Sequence, residues 1–104
     1  MMRCAALLAV LLAPTAPDAL AQIYPVKPIR VLVAYPAGGA NDIVARAVGA
    51  RLSEALAQPV IVDNRGGAGG TIGADLAAKA PADGYNLFMA AGAHALAPSL
   101  YARL

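Results

Sequence analysis

Two glycine-rich junctions, each placed between a short β-branched apolar run and a segment of helical periodicity, limit this chain to very few folds. Pro36-Ala37-Gly38-Gly39-Ala40-Asn41-Asp42 follows the run Ile29 to Tyr35, and Asn64-Arg65-Gly66-Gly67-Ala68-Gly69-Gly70-Thr71 follows Val60 to Asp63. A loop without bulky side chains, leading from a strand into a helix, leaves the first backbone N–H groups of that helix open to approach. Two such units in tandem aim two partly positive helix ends at one edge of a sheet, which suits an anion such as a carboxylate.

The rest of the chain fits that alternation. Ile29 to Tyr35 is almost continuously apolar, as expected of a strand buried on both faces of a parallel sheet. From Asp42 to Gln58 the residues Val44, Val48, Leu52 and Leu56 recur at every fourth position, and Ile43, Ala47 and Ala55 widen the stripe. This predicts an amphipathic helix with that stripe inward, Asn41 or Asp42 as its cap, and Arg46, Arg51 and Glu54 solvated. Gln58-Pro59 ends it. Val60 to Asp63 reads as a second strand, and Thr71 as the cap of a helix through Ile72, Leu76 and Lys79, weakened at Gly73 by roughly 1 kcal/mol relative to alanine. Pro81-Ala82-Asp83-Gly84 is turn chemistry, Tyr85 to Met89 a third strand, and a further helix is expected near Pro98. Strand, helix, strand, helix, strand with short connections implies right-handed crossovers, hence an α/β fold with a three-stranded parallel βαβαβ core.

The first 21 residues are expected to stand apart from this core as an export signal. Arg3 supplies a positive start, Ala5 to Leu12 an apolar stretch, and Ala19-Leu20-Ala21 a small-x-small cleavage site. The stretch is too short for the ~20 residues of a membrane-spanning helix, so no membrane insertion is expected. Residues 22–104 then form the mature α/β unit, the alternative being a retained N-terminal arm. Cys4 is the only cysteine and falls in the signal, which leaves the mature chain without disulfides. A net charge of +2, with basic residues scattered rather than striped, points away from nucleic acid.

Familiar uses of glycine loops fail on spacing. Counting G-x-G-x-x-G from Gly67 and Gly69 puts Ile72 in the third glycine position, and neither loop contains the lysine of a phosphate-binding P-loop. No cofactor is expected. The single histidine, His94, lacks a second histidine or a mature cysteine with which to hold a metal, and no Ser-His-Asp set can be assembled. The chain is therefore not expected to be an enzyme.

In its motifs the chain resembles the N-terminal part of the periplasmic solute-binding proteins of tripartite tricarboxylate transporters, the Bug family. The resemblance lies in Tyr24-Pro25-x-Lys27-Pro28-Ile29-Arg30, Tyr35-Pro36-x-Gly38-Gly39-x-x-Asp42, Gln58-Pro59-Val60, Asn64-Arg65-x-Gly67-Ala68-Gly69-Gly70, Asp83-Gly84-Tyr85 and His94-Ala95-x-x-Pro98-x-Leu100-Tyr101. It implies part of the first domain of a type II periplasmic-binding-protein fold, a small carboxylate ligand held largely by backbone N–H groups and water, and membrane components of a transporter as partners. By position it implies ligand contacts from Tyr35, Pro36, Gly38, Gly39, Asn41 and Asp42 in the first loop. In the second it implies Asn64, Arg65, Gly67, Ala68, Gly69, Gly70 and Thr71. Ala37, Asn41 and Gly66 depart from the residues usual in the family. Members of the family are much longer, with two domains closing on the ligand, so the resemblance implies an incomplete first domain that does not capture its ligand alone. Two other readings remain beside it: a non-functional truncated product, and a small carboxylate-using enzyme.

Three residues carry a structural alternative. Asp42 is placed to cap a helix as well as to orient a ligand, Arg65 to pair with Asp63 as well as with a carboxylate, and His94 to serve as a hydrogen-bond partner within the fold.

Overall fold

In a computed structural model of the chain, residues 23–100 are described. The expected signal segment, 1–21, lies outside them. Strand β1 (Ile29–Val33) is followed by helix α1 (Ala40–Leu56), strand β2 (Val60–Asn64), a 3-10 turn (Ala68–Gly70), helix α2 (Thr71–Lys79), strand β3 (Asn86–Met89) and helix α3 (Gly92–Leu100). The strands form one sheet in the order β2-β1-β3, with both pairings parallel. Val31 faces Val62 on one side and Leu87 on the other, and Val33 faces Asn64 and Met89. The α/β architecture with a parallel three-stranded sheet is thus as the alternation predicts.

β1 is the hydrophobic centre because it is paired on both edges and covered on both faces. Ile29, Leu32, Val33 and Ala34 are buried almost completely, and each large side chain among them contributes about 1.5–3 kcal/mol by leaving water. Val31 and Val33 pack with Ala45 of α1 and with Val60 and Val62 of β2. Ala34, the next residue along from Val33, meets Gly73 of α2 instead. Side chains alternate along an extended chain, so α1 and α2 lie on opposite faces.

The face that α1 turns inward is not the expected one. Its buried residues are Asp42, Ala45 and Gly49, whereas Ile43, Val44 and Val48 of the predicted stripe are 61%, 47% and 51% exposed. Close approach to the sheet selects small residues here. A methyl group added at Gly49 would stand 3.2 Å from Cγ1 of Val60, so the helix axis sits nearer to β2 than a valine-faced helix could. The last helix also departs from expectation: α3 begins at Gly92 and carries Pro98 in its interior rather than at its start.

Ahead of β1, the chain docks on the turn before β3. The Tyr24 hydroxyl donates to the Gly84 carbonyl, and the Val26 N–H donates to the Tyr85 hydroxyl at 2.9 Å. Lys27 lies 4.5 Å from the centre of the Tyr85 ring. All three strands therefore end at one edge of the sheet with their following loops side by side.

Candidate functional site

The first loop is held from beneath by Asp42. The residue before α1 is Gly39, whose missing side chain provides no cap, and Asp42 stands at the third helical position. From there its carboxylate reaches back, accepting the Gly38 N–H at 2.9 Å, Arg46 Nε at 3.0 Å and Asn64 Nδ2 at 3.0 Å. Asn64 Nδ2 also donates to the Tyr35 carbonyl at 3.1 Å. Asp42 is not the helix cap; it is a buried brace between the two glycine loops. Its hydrogen bonds, those from Arg46 foremost, then Gly38 and Asn64, hold its pKa at about 2, below the ordinary carboxylate range. Arg46, exposed as expected, is also its partner.

The loops also meet through their backbones. The Arg65 N–H donates to the Val33 carbonyl at 2.7 Å, and a methyl at Gly66 would meet Cδ of Pro36 at 3.4 Å. The Arg65 side chain turns to Asp63, with Nε 2.9 Å from Oδ1. Arg30 Nε approaches Oδ2 of the same carboxylate at 2.8 Å. Burial pushes the Asp63 carboxyl upward, but these two guanidinium partners outweigh it and hold the group below its usual range. Half of the alternative drawn for Arg65, the pair with Asp63, is therefore formed.

Beyond Arg65 the chain makes a sharp turn. Gly69 and Gly70 have φ of 65° and 92°, the left-handed region that costs a residue with a Cβ about 1–2 kcal/mol, and Gly67, at φ of 126° and ψ of 152°, is in a region that essentially only glycine enters. Gly70 precedes α2 and gives it no side-chain cap. Thr71 is the first residue of the helix, and its hydroxyl donates to the Ala68 carbonyl at 2.8 Å. The expected Thr71 cap does not form because the hydroxyl faces back along the turn. Gly73, which the sequence marks only as a weak helix former, is required by packing: a methyl there would stand 2.7 Å from Ala34 Cα and 2.8 Å from the Arg65 carbonyl oxygen.

The third loop contributes His94. Its Nδ1 accepts the Ala91 N–H at 3.1 Å, and its Nε2 lies 3.4 Å from the Gly70 carbonyl oxygen. The Tyr35 hydroxyl is buried nearby without a hydrogen-bond partner among the described residues. The residues expected at the site are therefore gathered at one sheet edge. Pro36, Gly38, Gly39, Gly67, Ala68 and Gly69 are exposed there, Asn41 and Thr71 half-buried, and Asp42 and Gly70 beneath them. Sequence reasoning missed Arg46 as Asp42's partner, although their spacing of four on a helix is legible. His94 is the hydrogen-bond partner within the fold that the sequence suggests, but that it meets Gly70 of the second loop was not legible.

Chemically, the edge offers backbone hydrogen-bond donors. Neither α1 nor α2 has a side-chain acceptor bonded at its N-cap, so apart from the Thr71 N–H, which donates to the Ala68 carbonyl, N–H groups of both first turns lack a capping side chain and are open to solvent or a ligand. That is a setting for an anion that accepts hydrogen bonds.

Comparisons with known proteins bear on the family and the fold. The profile of the family described as "Tripartite tricarboxylate transporter family receptor" (TctC) matches residues 44–104. Protein BugT of Bordetella pertussis is 46% identical over 80 residues, which make up 77% of this chain and 24% of that protein. A TctC solute binding protein from Polaromonas, solved without ligand, superposes with a TM-score of 0.69 at 35% identity, covering 74% of this chain and 27% of its own. Rpa4515 of R. palustris, solved with adipate, superposes with a TM-score of 0.61 at 42% identity, covering 62% of this chain and 22% of its own. The chain spans about a quarter of the length of the relatives it matches.

Proposed function

Since the chain belongs to the tripartite tricarboxylate transporter receptor family, we propose that it forms one wall of a periplasmic solute-binding cleft whose ligand is a small carboxylate. The observation that carries this reading is the pair of helix N-termini, Gly39 before α1 and Gly70 before α2, that stand at one sheet edge with no side-chain cap. A carboxylate is the acceptor those N–H groups lack, and the partial positive charge of each helix end favours it over a neutral ligand. Asp42 serves by bracing the loops, its charge countered by Arg46 and its other oxygen hydrogen-bonded by Asn64. The adipate in Rpa4515 supports a dicarboxylate as the ligand class.

Further parts of the proposal follow from the family. Residues 1–21 serve as a removable export signal, residues 22–104 as part of an N-terminal α/β domain, and the receptor delivers its ligand to membrane components of the transporter. The relatives are solute-binding proteins, and the site is proposed to bind without turnover. One wall alone holds its ligand weakly. A few charge-assisted hydrogen bonds of about 1.5–3 kcal/mol each are set against at least ~4 kcal/mol of lost translational and rotational freedom, which leaves a Kd of about a millimolar or weaker.

Calorimetric titration of the chain with adipate, citrate and the uncharged adipamide tests the reading. Heat from the carboxylates and none from the diamide is expected. Binding of adipamide as well as adipate, or of neither carboxylate, would remove the anion from the account.

A further inference from the structure

We propose that His94 is a positioning residue for the second glycine loop, tying the start of α3 to Gly70 and thereby setting the direction in which α2 presents its first N–H groups. The proposal rests on the reading of that loop as part of the ligand wall. His94 occupies the third position of α3, from which a side chain can reach back to the N–H of the residue before the helix. Its Nδ1 does so, accepting from Ala91 at 3.1 Å, in the way that Glu or Gln acts in a capping box. A nitrogen that accepts carries no proton, so the neutral ring bears its hydrogen on Nε2. That hydrogen points to the Gly70 carbonyl, 3.4 Å away.

The ring cannot easily turn from this task. It meets Phe88 edge-on with centroids 4.9 Å apart, and Tyr35 likewise at 5.9 Å. Gly70 completes the fit: a methyl there would stand 3.1 Å from the Tyr35 hydroxyl oxygen and 3.2 Å from His94 Nε2. One imidazole thus bonds the loops after β2 and β3 at once while the segment after β1 supplies Tyr35 beside it. His94 stands behind the loop and does not need to touch ligand.

Amide hydrogen exchange on the ligand-free chain separates this role from simple capping of α3. The Gly70 N–H, bonded to the Gly67 carbonyl at 3.0 Å, and the Thr71 N–H, bonded to Ala68, report on the loop; the Ala91 N–H reports on the cap. In His94→Ala all three are expected to exchange about five- to tenfold faster, the loss of roughly one hydrogen bond at each place. Gln at this position can rebuild the cap but not the ring between the loops. In His94→Gln the Ala91 amide should therefore recover while Gly70 and Thr71 stay fast. Wild-type rates at Gly70 and Thr71 in His94→Ala, or their full recovery in His94→Gln, would overturn the proposal. The ¹⁵N shifts of the wild-type imidazole give a second decision that needs no variant: a protonated Nε2 is expected, and a protonated Nδ1 would overturn it. Neither measurement uses ligand, so failure of carboxylate binding would leave both outcomes unaffected.

Discussion

Asp42 and Gly73 show how single positions at this edge are determined by their neighbours rather than by their own propensities. With a folded pKa of about 2 against an ordinary 3.8, Asp42 is ionised more readily in the fold than in the unfolded chain. Its stabilising effect is therefore complete above the unfolded value and is lost as pH falls through the folded one. Urea midpoints measured from pH 6 downward should fall below ~pH 5, and Asp42→Asn should flatten that fall. Some slope will remain, since Asp63 is also held low. At Gly73 two effects compete. Alanine is the better helix former by about 1 kcal/mol, but its Cβ would stand 2.7 Å from Ala34 and 2.8 Å from a backbone oxygen. Neither neighbour is the end of a flexible side chain, and such overpacking costs about 1–3 kcal/mol. Gly73→Ala should lower the urea midpoint, and a raised midpoint would show that α2 can move away from β1 without loss.

At the scale of the element, the helix starts are where stability and binding part company. Gly39 has φ of −76° and ψ of 171°, extended backbone that any residue adopts, and a Cβ there meets only the Pro36 carbonyl oxygen at 3.4 Å. Gly39→Asp should therefore cap α1 and stabilise the chain by a few tenths of a kcal/mol. It should also abolish carboxylate binding, because the new carboxylate occupies the N–H groups proposed for the ligand. Thermal denaturation and adipate titration of the same variant check both halves. The inward face of α1 makes a second test. Val48→Lys lies on the exposed side and should change stability by no more than about 0.5 kcal/mol, whereas Ala45→Lys, with Ala45 only 2% exposed, should prevent the helix from docking. Circular dichroism during urea unfolding distinguishes them.

Across the whole molecule, alternation was the legible signal and packing the illegible one. The runs Ile29 to Tyr35 and Val60 to Asp63 and the glycine loops after them could be read as parallel strands feeding helices, because β-branching and loop composition act locally. The order β2-β1-β3 could not, since it depends on which face each crossover takes. Nor could the inward face of α1: apolar counting ranks Val44 and Val48 above Ala45 and Gly49, while contact with β2 rewards smallness. Gathering of the site residues at one edge was legible from the strand–loop–helix order. The Asp42–Asn64 brace and the His94–Gly70 contact were not, because each joins residues more than a dozen positions apart in sequence through side-chain geometry. The central claim is that backbone N–H groups at this edge hold a carboxylate. Residue-resolved amide shifts during titration of the chain with adipate, up to about 50 mM to cover a millimolar Kd, test it most directly. Shifts concentrated at Gly38–Asp42 and Gly69–Gly73, absent with adipamide, are predicted; no shifts at these amides, or shifts centred on the exposed cations Lys27 and Arg51, would contradict it.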